Sequence, residues 1–139
     1  MYTLKIADSF TPFPGLRHCN ISDNSGEEFY HKVLNPAFAQ QVRAEQPITI
    51  DIDDSQGYAS SFLDEAFGNM VYDFGLETVR RYVTITSEEE PHWKEMIEEG
   101  TYLQWEERRK QGKAPKVTEQ HPAWYRIANG ELKLAVWEN

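Results

Sequence analysis

The chain has 139 residues, of which 40% are hydrophobic and 13% aromatic, so one domain with a real core is expected and a disordered chain is excluded. Its formal net charge of −9 repels phosphate backbones, which argues against nucleic-acid binding. No stretch approaches the roughly 18 apolar residues of a membrane span, and the single cysteine, Cys19, forbids an intrachain disulfide, so the cytoplasm is the expected location.

The amino-terminal third predicts strands, a turn and a helix. Alternating apolar residues favour a half-buried strand over residues 2–6, and residues 17–21 are predicted as a second strand. Between them, two prolines and a glycine in residues 10–15 indicate a turn. Ser25 and Glu28 form a capping box, which predicts a helix to about residue 44 that Pro36 kinks or divides.

The middle of the chain alternates strands with helices. Residues 48–52 are the best strand in the sequence, β-branched and bounded by Pro47 and an acidic cluster. A second helix with a wide apolar stripe is predicted from near Ser60 to Gly75. A strand at 82–86 and a third helix from Pro91, with Gly100 as an interruption, complete this part.

The carboxyl-terminal segment predicts a β-hairpin around the type I′ turn Asn129-Gly130. Pairing outward from that turn sets Ile127 opposite Leu132 and Tyr125 opposite Leu134, which makes one face apolar. The other face carries Trp124, Arg126, Lys133 and Trp137. Because Trp and Arg are frequent at interface hot spots, this face is a candidate surface for a homodimer. The alternative is that the third helix or its tail covers both tryptophans.

This element order predicts an α/β fold, a mixed and partly parallel sheet backed by helices, with an added β-hairpin. We expect residues 1–113 to form the α/β domain. Residues 114–139 are expected to form a hairpin extension packed on the same domain.

Three motifs, in order, resemble the STAS-like family of unknown function. They are the run from Ile48 to Asp53 followed by Gly57 to Gly68, the pattern Phe10, Pro14-Gly15 and Arg17, and the segment Ser25 to Phe29. The resemblance covers roughly residues 2–105. It implies the fold of STAS domains, in which an apolar strand ending in Asp leads through a short loop to a serine pair at a helix start.

In anti-anti-sigma factors of that fold, a partner kinase phosphorylates the first serine of the pair. Laid on this chain, the pair is Ser60-Ser61, flanked by Ala59 and Phe62 where those domains have Asp and Gly. The resemblance implies that Ser60 is the phosphorylation candidate, with Ser61 beside it, and that the partner is a histidine-kinase-type ATPase. The function implied is a non-catalytic, protein-binding regulator.

Several residues carry a second interpretation. Ser60 and Ser61 could instead cap the helix, with Ser61 and Asp64 as a capping box. The acidic cluster could hold Mg²⁺ for phosphoryl transfer, or it could simply mark the turn at the end of the strand; its residues are Asp51, Asp53 and Asp54. No His or Cys spacing indicates a metal site, and no cofactor motif is present, so neither is expected. Residues expected to contact a partner are Asp53, Asp54, Tyr58, Asp64, Trp124, Arg126 and Trp137.

The negative net charge is also compatible with a different class of function. An acidic inhibitor or anti-defence protein, encoded by a phage or mobile element, could occupy the nucleic-acid groove of its target. A compact acidic face would favour this function over the regulator.

Overall fold

A three-stranded parallel sheet lies at the centre of the computed structural model, which describes residues 2–135. The strands, in the spatial order β1-β2-β3, are β1 (Tyr2–Lys5), β2 (Ile48–Asp51) and β3 (Val83–Thr86). Leu4, Ile50 and Ile85 lie side by side across the sheet and are buried. The strand with the strongest sequence signal is therefore the central one, as the long β-branched run predicts.

Seven α-helices surround the sheet within residues 2–135. They are α1 (Ile6–Ser9), α2 (Gly26–Phe29), α3 (Asn35–Ala44), α4 (Ser60–Phe74), α5 (Leu76–Tyr82), α6 (Pro91–Met96) and α7 (Tyr102–Gln111). The longest of them has 15 residues. None of the helices described is long and apolar enough to cross a bilayer.

Two π-helical segments occur where the sequence predicted interrupted helices. Tyr30–Leu34 joins α2 to α3, directly before Pro36, and Ile97–Thr101 joins α6 to α7 and contains Gly100. A proline cannot donate the backbone hydrogen bond of a helix interior, and a wider π turn accommodates the defect without ending the helix. Pro36 is the second residue of α3, next to the point where the helix changes from π to α type, and the helix continues through it.

The predicted second strand over residues 17–21 is wrong. No strand lies between β1 and β2, and the Leu16 and Arg17 carbonyls instead accept the Gly26 and Glu27 N–H groups at 2.9 and 3.0 Å. The backbone carbonyls of this loop therefore accept hydrogen bonds from the free N–H groups at the start of α2. The predicted Ser25 cap is confirmed, since its hydroxyl accepts the Glu28 N–H at 3.0 Å.

Helix α4 runs through the core, and even its polar edge is buried. Its apolar side chains include Phe62, Leu63, Ala66, Phe67, Met70, Val71 and Phe74. Glu65, Asn69 and Asp73 follow each other at four-residue steps and are 2, 3 and 2% exposed. Residues at that spacing share one face of a helix, so α4 has a buried polar stripe that must find partners elsewhere in the chain.

Those partners come from both ends of the protein. The Arg17 guanidinium donates to Glu65 at 3.1 Å, and Asn69 donates to the same carboxylate at 2.8 Å. Asp73 accepts the Tyr30 hydroxyl at 2.5 Å and the Arg126 Nε at 2.6 Å. Burial nevertheless raises the pKa of Asp73 to about 6.

The hairpin forms as predicted from strands β4 (Trp124–Ala128) and β5 (Glu131–Ala135). Ile127 pairs with Leu132, and Tyr125 pairs with Leu134. Asn129 and Gly130 have φ of 54° and 77°, as a type I′ turn requires.

Polar contacts attach this hairpin to α3 and α4. The Asn35 side chain donates to the Tyr125 carbonyl and accepts from the Tyr125 N–H, both at 2.9 Å. The Asp73–Arg126 pair lies at the carboxyl half of α4. The hairpin thus completes the polar stripe of α4 from one side, while Arg17 completes it from the other.

The pairing of Arg126 with Asp73 predicts a large stability effect. Arg126→Ala leaves a buried carboxylate without its cation and should lower the free energy of unfolding by about 3 kcal/mol. The exposed Lys133 on the facing strand is the control, and Lys133→Ala should change it by less than about 0.5 kcal/mol. Urea unfolding followed by circular dichroism measures both. Equal effects of the two substitutions would contradict this role of Arg126.

Candidate functional site

The turn between β2 and α4 delivers the serine pair to the first turn of α4. Strand β2 ends at Asp51 and α4 begins at Ser60, whose side chain is exposed, while Ser61 is half-buried. Ala59 is the N-cap residue, and no side chain accepts the first free N–H groups of the helix. The alternative in which the serines cap α4 is therefore wrong.

Asp64 does not take part in a capping box because its carboxylate is engaged elsewhere. It accepts hydrogen bonds from the Arg17 guanidinium at 2.8 Å, the Thr101 hydroxyl at 3.0 Å and the Trp105 indole N–H at 3.2 Å. One side chain therefore joins α4 to the amino-terminal loop and to the α6–α7 unit. Asp64 was predicted to contact a partner. In the structure it holds the wall of the site together, and its contact with a partner stays a prediction.

Close packing of α7 on α4 positions the Trp105 indole for this bond. A Cβ atom on Gly68 would lie 2.1 Å from the Trp105 ring, so only glycine permits this approach. The Arg108 guanidinium lies over the other side of the indole, 4.1 Å from the ring centroid.

A cleft of about 280 Å³ opens beside Ser60. It is lined by Arg17, Ser60, Asp64, Met96, Gly100, Thr101 and Gln104. The Arg17 side chain is 33% exposed and is the cation of this lining. Sequence analysis assigned Arg17 only to a family-like pattern and not to the site, because its carboxylate partners lie more than forty positions away in the chain.

The acidic residues after β2 hold two loops against each other. Both oxygens of Asp53 accept backbone N–H groups, from Glu88 and Glu89, each at 3.0 Å. Asp54 pairs with Lys5, and Asp51 accepts the Asp53 N–H at 2.9 Å. Among residues 2–135 these aspartates do not come together as a set of metal ligands, and their contacts support the alternative of an acidic strand end feeding a turn.

A second cleft, of about 290 Å³, lies at this edge of the sheet. It is lined by Ile52, Asp53, Ser55, Gln56, Gly57, Ser87, Glu89, Glu90 and Trp93. Tyr58 lies nearby, and its hydroxyl donates to the Ile52 carbonyl at 2.8 Å. Helix α6 connects the two clefts, since it contributes Trp93 to this one and Met96 to the cleft beside Ser60.

The hairpin residues predicted to contact a partner lie apart from both clefts. Trp124 is only 5% exposed and meets the His31 ring edge-on at a centroid distance of 4.3 Å. Arg126 is paired with buried Asp73. The body of the protein therefore covers Trp124, whereas the Arg126 side chain is 21% exposed, and the homodimer stays a prediction. Trp137 lies outside the described residues.

The fit of Trp105 against Gly68 makes the site sensitive to a single methyl group. Gly68→Ala should displace the indole and lower the free energy of unfolding by about 2 kcal/mol, although alanine is the better helix former by about 1 kcal/mol.

Gly100→Ala, where the added methyl meets no atom within 4 Å, is the matched control and should be neutral or stabilise the protein by up to about 1 kcal/mol. Thermal unfolding and the indole N–H resonance of Trp105 measure both variants. An unshifted resonance in Gly68→Ala would show that the packing does not position Trp105.

Part of the chain matches a known protein family. The sequence model of a family described as "STAS-like domain of unknown function" matches residues 25–93. The match contains the Ser25 cap, β2, the serine pair and α4, whereas the pattern from Phe10 to Arg17 and the hairpin lie outside it. No curated protein and no solved structure matches the chain significantly. By this match residues 25–93 form a STAS-like domain of unknown function.

Proposed function

We propose that this chain is a non-catalytic regulatory module that binds a protein partner, and that a histidine-kinase-type ATPase phosphorylates Ser60 to switch that binding. The observation that carries the proposal is the exposed Ser60 hydroxyl at the uncapped start of α4, in one cleft with Arg17. A kinase of this class consumes ATP, so in this proposal the interaction takes place in the cytoplasm, where ATP is present.

The start of α4 suits a phosphate electrostatically. The free N–H groups and the positive end of the helix dipole favour an anion there. Arg17 adds a full positive charge in the same cleft and remains partly open to solvent. Both features favour the phosphorylated form of Ser60 over phosphate at an arbitrary surface serine.

A phosphate would also disturb an existing ion pair. It brings about 1.5 to 2 negative charges into the cleft where Asp64 already shares Arg17 with Glu65. Competition for Arg17 would weaken the tie between the amino-terminal loop and the wall formed by α4 and α7. The surface that a partner meets would therefore change in shape as well as in charge.

The two serines differ in access, which identifies the acceptor. Ser60 is exposed and lines the cleft, whereas Ser61 is half-buried and does not line it. A kinase must reach the hydroxyl oxygen to transfer the phosphoryl group, so Ser60 is the favoured site.

This difference gives a direct test. Incubation of the full chain with ATP and a histidine-kinase-type ATPase from the same host should add one phosphoryl group, which mass spectrometry of peptides would place on Ser60. Ser60→Ala should abolish the mass shift and Ser61→Ala should keep it. Equal labelling of the Ser60→Ala variant, or no labelling of the folded wild-type chain, would reject the phosphorylation.

A second candidate function rests on a different surface. Asp54, Glu88, Glu89 and Glu90 are all exposed in the two adjoining loops at the carboxyl end of the sheet. Such an acidic edge suits an inhibitor, encoded by a phage or mobile element, that imitates phosphates and blocks a nucleic-acid-binding partner.

Charge reversal separates this second candidate from the regulator. The double substitution Glu88→Lys and Glu89→Lys should weaken binding to the nucleic-acid-binding target protein by at least about tenfold at low salt. The control is Glu107→Lys, at an exposed position of α7, which should leave this binding unchanged. A DNA competition assay measures this. Unchanged competition by the double variant would exclude the inhibitor function.

A further inference from the structure

A second cluster of polar side chains joins the two ends of the chain. Glu27, at the start of α2, is 1% exposed. Its carboxylate contacts the His121 Nε2 at 2.7 Å and accepts the Thr118 N–H and hydroxyl at 2.9 and 2.6 Å. It also accepts the Cys19 N–H at 3.1 Å. The segment between α7 and β4 is thereby bound to the loop before α2.

Three potential metal ligands converge at this junction. The Cys19 sulfur, a Glu119 carboxylate oxygen and a His121 ring nitrogen all lie within 4.8 Å of one another. Within residues 2–135 they are the one such group of three or more. Sequence spacing does not reveal them, because Cys19 is about a hundred positions from the other two.

We propose that Cys19, Glu119 and His121 bind a Zn²⁺ ion, with water in the fourth position. Thiolate, imidazole and carboxylate together are a donor set that zinc accepts. None of these three ligands takes part in the proposed Ser60 switch.

The contact between Glu27 and His121 supports a metal-binding role. A histidine that binds a metal usually donates its other ring N–H to a carboxylate, which fixes the ring and its tautomer. Here Glu27 contacts Nε2, so Nδ1 is the nitrogen proposed to bind the ion. The same carboxylate accepts hydrogen bonds from Thr118 and from the Cys19 N–H, which hold it in place beside the ring.

The surroundings of His121 also keep its ring in place. The His31 ring stacks on it at a centroid distance of 4.0 Å and an interplanar angle of 12°. The Trp124 ring meets His31 edge-on from the hairpin. A ligand held by its neighbours loses little freedom when the metal binds.

The charge around Cys19 calls for a cation. Two carboxylates lie beside Cys19, since Glu27 accepts its N–H at 3.1 Å and a Glu119 oxygen lies within 4.8 Å of its sulfur. A divalent ion would neutralise these carboxylates; the thiol proton then passes to solvent as the sulfur–zinc bond forms. The Ser25 oxygen lies 3.3 Å from the sulfur, and because it already accepts the Glu28 N–H, its own hydroxyl proton can be donated to the thiolate.

Metal titration of the chelator-treated full chain tests the site. One equivalent of Co²⁺ should produce thiolate charge-transfer absorption and the visible bands of a tetrahedral ion, and Zn²⁺ should displace it and raise the unfolding temperature. Cys19→Ser should remove the charge-transfer band. Cys19→Ser and Glu119→Gln should each weaken Zn²⁺ binding by more than about tenfold.

His92→Gln, on the exposed surface of α6, and Asp53→Asn, in the acidic loop, are controls for adventitious binding and should leave the affinity unchanged. Because His121 is buried against Glu27, its variants can fail to fold, so Cys19 and Glu119 carry the decision. Absence of the cobalt bands in a folded wild-type chain would overturn the proposal. Equal affinities of Cys19→Ser and His92→Gln would do so as well.

Discussion

The buried polar stripe of α4 is the constraint on which the architecture depends. Glu65 and Asp73 lie in the core, and each meets an arginine from a distant part of the chain, Arg17 or Arg126. A buried carboxylate without its cation costs several kcal/mol. Helix α4 can therefore be covered on this side only when the amino-terminal loop and the hairpin are both in place. This requirement joins into one folding unit elements that look separate in the local sequence.

The same constraint connects the surface near Ser60 with the interior. Arg17 is shared between the carboxylates of Asp64 and Glu65, yet it also lines the cleft that contains the serine. A new charge in the cleft therefore acts on a cation that the buried helix already uses. By contrast, Asp53 has both carboxylate oxygens bound to backbone N–H groups, so its role is to hold the loop in shape.

Local patterns predicted the parts of the fold that depend on neighbouring residues. The Ser25 cap, the central strand and the hairpin register follow from spacing over a few positions, and the structure contains all three. The strand predicted at residues 17–21 failed because nothing in that local sequence reveals that the Leu16 and Arg17 carbonyls accept hydrogen bonds from α2. Likewise, the burial of Trp124 and the meeting of Cys19 with His121 depend on contacts across about a hundred positions, which no local pattern contains.

The contact between Asn35 and Tyr125 has a consequence for solubility. By offering both an acceptor and a donor, this side chain occupies the backbone groups that the outer edge of β4 would otherwise present to a strand of another molecule. Unpaired edges of this kind are templates for intermolecular sheet growth, and natural proteins avoid aggregation by blocking them. A single amide thus blocks the edge of this two-stranded sheet at Tyr125.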